Sequence, residues 1–139
     1  LGFEAVDPRT EDLVARIRAK TGGSGADVVF EVSGSEPGAR VITELARPRG
    51  TIVVVAIYAQ PVPVDLHKFF WKELRMVGAR VYEAADYEQA IKLAAGGELE
   101  LEPLISRVFP LENLQTAFEY LTRTPDAMKV LIQCNEVNE

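Results

Sequence analysis

The feature that most constrains this chain is the run Thr51-Ile52-Val53-Val54-Val55-Ala56-Ile57, β-branched at every position but Ala56. A half-buried strand alternates apolar and polar residues. This run does not alternate, which predicts a strand buried on both faces, as at the centre of a parallel sheet covered by helices. The longest apolar stretch, Ile52 to Tyr58, is far too short to span a bilayer.

The flanking segments alternate in type. Asp7-Pro8-Arg9-Thr10 reads as a turn, with Thr10 as N-cap of a helix whose stripe is Leu13, Val14 and Ile17 and which Gly22-Gly23 ends. Glu11 and Asp12 suit the positive end of that helix. Ala26 to Val32 reads as a second buried strand, closed by Ser33-Gly34-Ser35. A helix over 36–46 turns Val41, Ile42 and Leu45 inward, and Arg47-Pro48-Arg49-Gly50 reads as a turn. After the central run, Asp65 caps a short helix over 66–72, and Leu74 to Tyr82 reads as a third strand bent near Gly78. Beyond a boundary near Tyr82 the spacing becomes mixed. A helix over 86–95 ends at Gly96-Gly97, and Pro103 to Phe109 is extended. Leu111, Leu114, Ala117, Phe118 and Leu121 mark an amphipathic helix, and Met128 to Gln133 reads as a last strand. Strands alternating with helices predict an α/β fold with a parallel sheet.

Composition narrows the function classes. Net charge is −6, and no basic patch of the kind a nucleic-acid binder carries stands out. Cys134 is the single cysteine, which fits a reducing compartment and a cytoplasmic setting. With His67 the single histidine, the chain cannot build a Cys/His zinc site by itself. The first residues, Leu1-Gly2-Phe3-Glu4, carry no Met and no signal-peptide pattern, so the chain reads as a piece of something longer.

The order of segments resembles the medium-chain dehydrogenase/reductase superfamily along nearly the whole chain. Gly25-Ala26-Asp27-Val28-Val29-Phe30-Glu31-Val32-Ser33-Gly34 is similar to its fourth Rossmann strand, Arg49 to Val55 to its fifth, and Lys72 to Gly78 to the entry of its sixth. Pro103-Leu104-Ile105 through Phe118 resembles the return to the catalytic domain, and Met128 to Ile132 the closing strand. The resemblance implies a partial Rossmann-like parallel sheet with flanking helices. It makes residues 1–81 the second half of a dinucleotide-binding domain and 82–139 the segment returning to the catalytic domain. Gly22-Gly23-Ser24-Gly25 is no dinucleotide fingerprint, because it follows a helix and precedes a strand.

What the resemblance implies for function is specific. Ser33 and Gly34 lie near the adenosine ribose; the alternative is a plain strand-to-helix turn. Val55, Ala56 and Ile57 run along the nicotinamide, or serve simply as sheet core. Ala79 to Val81 ends the third strand, with the Val81 N–H facing the carboxamide, or forms an edge that pairs with another subunit. Lys129 meets the pyrophosphate, or is a solvated lysine. No catalytic residue and no metal ligand is assigned to this chain. The cofactor is NAD or NADP, with NAD favoured, and zinc in the intact enzyme is held elsewhere. The implied reaction is hydride transfer between a secondary alcohol or polyol and the nicotinamide. No nucleic acid or membrane partner is expected, and homo-oligomers form through the 74–82 edge. A binding or assembly module without catalysis, and a zinc-free quinone or enoyl reductase of the same superfamily, remain open beside it. His67 as a proton relay, Phe69-Phe70-Trp71 as a substrate wall and Glu98, Glu100 and Glu102 as a metal site are weighed against exposed, packing and solvated roles.

Overall fold

The computed structural model describes residues 3–97 and 99–135. The chain divides into two compact units, one ending at Val81 and the other beginning at Tyr82.

The first unit is α/β. Its helices are α1 (Leu13–Lys20), α2 (Glu36–Leu45) and α3 (Leu66–Trp71), and its strands β1 (Ala26–Glu31), β2 (Ala46–Val54) and β3 (Arg75–Gly78). The strands form one sheet in the order β1-β2-β3, with both pairs parallel. The aliphatic run is therefore the central strand. Ile52 is fully buried and joins Ile42 of α2 and Ala46 in the core, with Val29, Val54, Val64, Phe69 and Leu74 packed around them. Helix starts follow side-chain capping: Ser35 accepts from the Gly38 N–H at 3.1 Å, and Asp65 from the Lys68 N–H at 3.2 Å. The Lys72 ammonium donates to the carbonyls of Thr43 (2.7 Å) and Ala46 (2.8 Å), which satisfies the end of α2.

Several local expectations are corrected. Thr10 is not the N-cap of α1, because its N–H and hydroxyl both bond back to the Asp7 carbonyl inside the preceding turn. Asp12 takes that role, accepting from the Ala15 N–H at 3.0 Å. Arg47-Pro48-Arg49-Gly50 is not a free turn but the irregular first half of β2. Ala46 opposes Ala26, and the register then shifts until Thr51 opposes Val28. The excess residues bulge out, and Arg49 takes φ 60°. β1 and β2 end earlier than the apolar runs suggest, since the N–H groups of Val55 and Ala56 both turn to the Glu31 carbonyl, at 2.9 and 3.1 Å. The third strand shrinks to Arg75–Gly78. Of the aromatic run only Phe69 packs on the core; Phe70 and Trp71 are exposed.

The second unit holds α4 (Ala84–Ala95), β4 (Ile105–Pro110), α5 (Leu114–Arg123) and β5 (Lys129–Gln133). β4 and β5 pair in parallel. Leu111 lies in a 3₁₀ turn ahead of α5 rather than inside it. Phe109 and Ala117 are buried, and the Arg107 guanidinium sits over both the Phe109 and Tyr120 rings. Leu111, Leu114, Phe118 and Leu121 are exposed, although they carry the apolar stripe.

Candidate functional site

Parallel strands exit on one side of a sheet, and ligands of doubly wound folds collect there. The register shows the alignment in this molecule. Glu31 opposes Val54, and Val54 opposes Gly78, so all three strands end level. Ser33-Gly34, Val55-Ala56-Ile57 and Ala79 to Val81 thus share one rim. The Ala79 N–H donates to the Val54 carbonyl at 2.9 Å, which holds the third exit to the second.

The first two exits touch. Gly34 adopts φ 62°, and a Cβ there would stand 2.8 Å from the Ile57 carbonyl oxygen and 3.6 Å from the Ala56 Cβ. Only glycine meets both demands at low cost. Val55 and Ile57 are exposed, Ile57 by 92%. Among the described residues no donor reaches the carbonyls of Val55 and Ala56. Val81, at φ 57°, is likewise exposed, beyond the end of β3. Lys129 opens β5 in the second unit, opposite Ile105, and is exposed.

Two residues of this rim are missed by sequence reasoning. Glu31 is only 4% exposed. Its carboxylate accepts from the Ser33 N–H at 3.0 Å, the Ser33 hydroxyl at 2.5 Å and the Gly34 N–H at 3.4 Å. The Tyr58 phenol faces it, close enough for the two groups to shift each other's titration. Ser35 extends the network, its hydroxyl 2.9 Å from that of Ser33. α2 approaches so closely that a Cβ on Gly38 would lie 2.5 Å from the Ser33 hydroxyl and 3.1 Å from the Glu31 carboxylate. The signal was present: a carboxylate interrupts the apolar run Val28-Val29-Phe30-Glu31-Val32 one step before its exit. A buried charge there requires partners.

Burial pushes the Glu31 carboxyl up, but the Ser33 and backbone hydrogen bonds and the Tyr58 phenol outweigh it and hold it below its ordinary 4.5. Burial and the Glu31 carboxylate push the Tyr58 phenol up from 10.0 to about 12. The linkage signs follow. A depressed acid contributes stability that is complete above 4.5 and is lost as pH falls through the folded value. A raised phenol contributes stability that is complete below 10 and is lost as pH rises toward 12. Thermal unfolding across pH is therefore expected to show Tm falling at both ends. Tyr58→Phe should flatten the alkaline limb; an unchanged limb would contradict the Glu31–Tyr58 contact.

A metal centre does not fit these residues. Among the described residues no group of three or more His, Cys, Asp or Glu side chains lies together as a metal ion requires. His67 is exposed and its Nε2 accepts from the Trp71 indole N–H at 2.8 Å, while Cys134 is exposed in the other unit. Glu98 lies outside the described residues.

The parallel sheet with flanking helices is of the doubly wound α/β type, and the comparisons agree with that fold. The family described as zinc-binding dehydrogenase matches residues 1–96. The chain belongs to that family. It is 50% identical, over 97% of its length, to the 2-dehydro-3-deoxy-L-galactonate 5-dehydrogenase of Pseudoalteromonas atlantica, and covers 40% of that relative. Its structure is similar to the 2R,3R-butanediol dehydrogenase of Bacillus subtilis, with TM-score 0.83 and 26% identity over 94% of this chain and 38% of the other. It is also similar to a putative zinc-binding dehydrogenase from Sinorhizobium meliloti 1021 solved with NADP, with TM-score 0.79 and 26% identity over 93% and 38%. The chain spans about 40% of the length of the curated relatives it matches.

No helix among the described residues is long and apolar enough to cross a membrane.

Proposed function

We propose that the protein carrying this chain is an oxidoreductase that moves hydride between a secondary alcohol or polyol and NAD or NADP, and that this chain forms the nicotinamide side of the cofactor cleft. The observation that carries the reading is the shared rim, where three parallel strands end level and present open backbone and bare aliphatic side chains. The dehydrogenase names of the relatives support the substrate class. NAD is the first cofactor to test; NADP follows, because one structural neighbour was solved with it.

The residue roles are those the family resemblance implies, and each group has the chemistry its part requires. The Val55 and Ala56 carbonyls accept from the carboxamide amine, and the Val81 N–H donates to its oxygen. The side chains of Val55 and Ile57 cover one ring face, which fixes the face open to substrate and excludes water from it. Ser33 and Gly34 border the ribose, and Lys129 offers a point charge to the pyrophosphate. When bound, the nicotinamide supplies the hydride acceptor. Among the described residues no zinc ligand set lies together. The remaining parts of the reading are a cytoplasmic setting and self-association through the 74–82 edge. There β3 pairs with β2 alone among the described strands and leaves Met76 and Val77 exposed.

Ile57→Asp tests the reading in the enzyme. It places a charge on the proposed ring face and is expected to weaken NAD(P)H binding about tenfold or more, the scale of burying one unpaired charge. Unchanged affinity would overturn the assignment of the rim. The 139-residue chain assayed alone with zinc and either cofactor is expected to oxidise no alcohol. Turnover by the isolated chain would refute the half-cleft reading.

A further inference from the structure

Glu31 is the point where two exits are joined. Its main-chain carbonyl holds the N–H groups of Val55 and Ala56, and its carboxylate holds Ser33 and the Gly34 N–H. One residue therefore fixes the conformation of 33–34 on one side and of 55–56 on the other. We propose that Glu31 is a positioning residue: its buried carboxylate, acting through Ser33 and the Gly34 that packs on Ile57, and its main-chain carbonyl, acting through Val55 and Ala56, lock the ends of β1 and β2 into one rim, and cofactor affinity depends on that lock. The inference rests on the reading of the rim given above.

The chemistry of the side chain is selective. Every group facing the carboxylate is a donor. Two of them are backbone N–H groups, which cannot reverse their polarity, and the Ser33 hydroxyl donates as well. Ionised carboxylate oxygens are pure acceptors and satisfy all of them. A glutamine of the same shape turns an amide N–H₂ toward one of these donors and loses the charge assistance of the rest. Gly38 shows that α2 packs hard against the same cluster and leaves no room for it to shift. A residue whose only task was to fill the core at this position would be aliphatic, like Val29 and Ile52.

The test compares Glu31→Gln, Tyr58→Phe and Ile57→Asp in the enzyme, each checked for folding by circular dichroism at the assay temperature. Glu31→Gln is expected to raise the Kd for NADH or NADPH about tenfold, the equivalent of one charge-assisted hydrogen bond, while kcat at saturating cofactor falls by less than about threefold. Tyr58→Phe removes the phenol that faces the carboxylate and is expected to raise Kd about threefold. A residue serving stability alone would lower Tm and leave the Kd of the folded protein unmoved, and that result overturns the proposal. If Glu31→Gln does not fold, Tyr58→Phe decides by the same criterion. If Ile57→Asp weakens binding and the Glu31 and Tyr58 variants do not, the positioning role falls and the rim stands. If Ile57→Asp also leaves affinity unchanged, the reading of the rim itself falls.

Discussion

Gly34→Val is expected to lower stability by about 2–4 kcal/mol and to weaken cofactor binding together with it. Two costs add. The backbone at Gly34 has φ 62°, where a β-branched residue is strained. The new Cβ would also stand 2.8 Å from the Ile57 carbonyl oxygen, a backbone atom that cannot swing aside. Relief requires the exits of β1 and β2 to part. That movement pulls the Gly34 N–H further from the Glu31 carboxylate, from which it is already 3.4 Å distant. The measurement is chemical denaturation with the midpoint and slope compared with the parent, followed by cofactor titration of the folded variant. A loss under about 1 kcal/mol would show that the two exits are not in the contact described.

Ile52→Ala should cost about 2–5 kcal/mol, the range for removing a buried aliphatic side chain without full collapse of the cavity. Ile52 is fully buried in the central strand, with β1 on one edge and β3 on the other. Its partners Ile42 and Ala46 are themselves buried and lie in or beside α2, so little exposed structure is free to fill the hole. Ile52→Val, which removes one methylene, is expected to cost about 0.5–1.5 kcal/mol. Equilibrium unfolding of the pair separates cavity formation from loss of strand propensity, since valine keeps the β-branch. Equal costs for the two substitutions would contradict the placement of Ile52 at the centre of the core.

The parts of the fold legible in the sequence are those set by local chemistry. The unbroken aliphatic residues from Ile52 to Val54 read as a central strand and form one, but burial on both faces does not follow: Ile52 is fully buried, whereas Phe30 and Val77, which flank Val53, are 65% and 50% exposed. Ser35 and Asp65 stand one residue ahead of helical stretches, and both cap them. The remainder depended on partners distant in sequence. Arg47-Pro48-Arg49-Gly50 has turn composition, yet it is drawn into β2 because Ala26 and Asp27 of β1 offer it a partner: the Arg47 guanidinium reaches the Asp27 carboxylate at 2.6 Å. Thr10 and Asp12 are both good caps, and the choice between them was made by the Asp7 carbonyl, which claimed Thr10. β3 stops at Gly78, short of Tyr82, because β2, which it must pair with, has already turned away after Val54. At the site, Gly34 was legible as a glycine at a strand exit. Glu31 left a signal, a carboxylate inside an apolar run, but Tyr58 left none, since a phenol 27 positions away comes to face it only when two strand ends meet.

The rim is most directly tested by hydrogen–deuterium exchange of the enzyme with and without reduced cofactor. Amides in 33–35, 55–58 and 79–81 are expected to slow together on cofactor addition, with residues on the opposite edge, such as 47–50 and 73–75, unchanged. Saturating cofactor that protects other segments and leaves all three strand exits at their free rates would contradict the account.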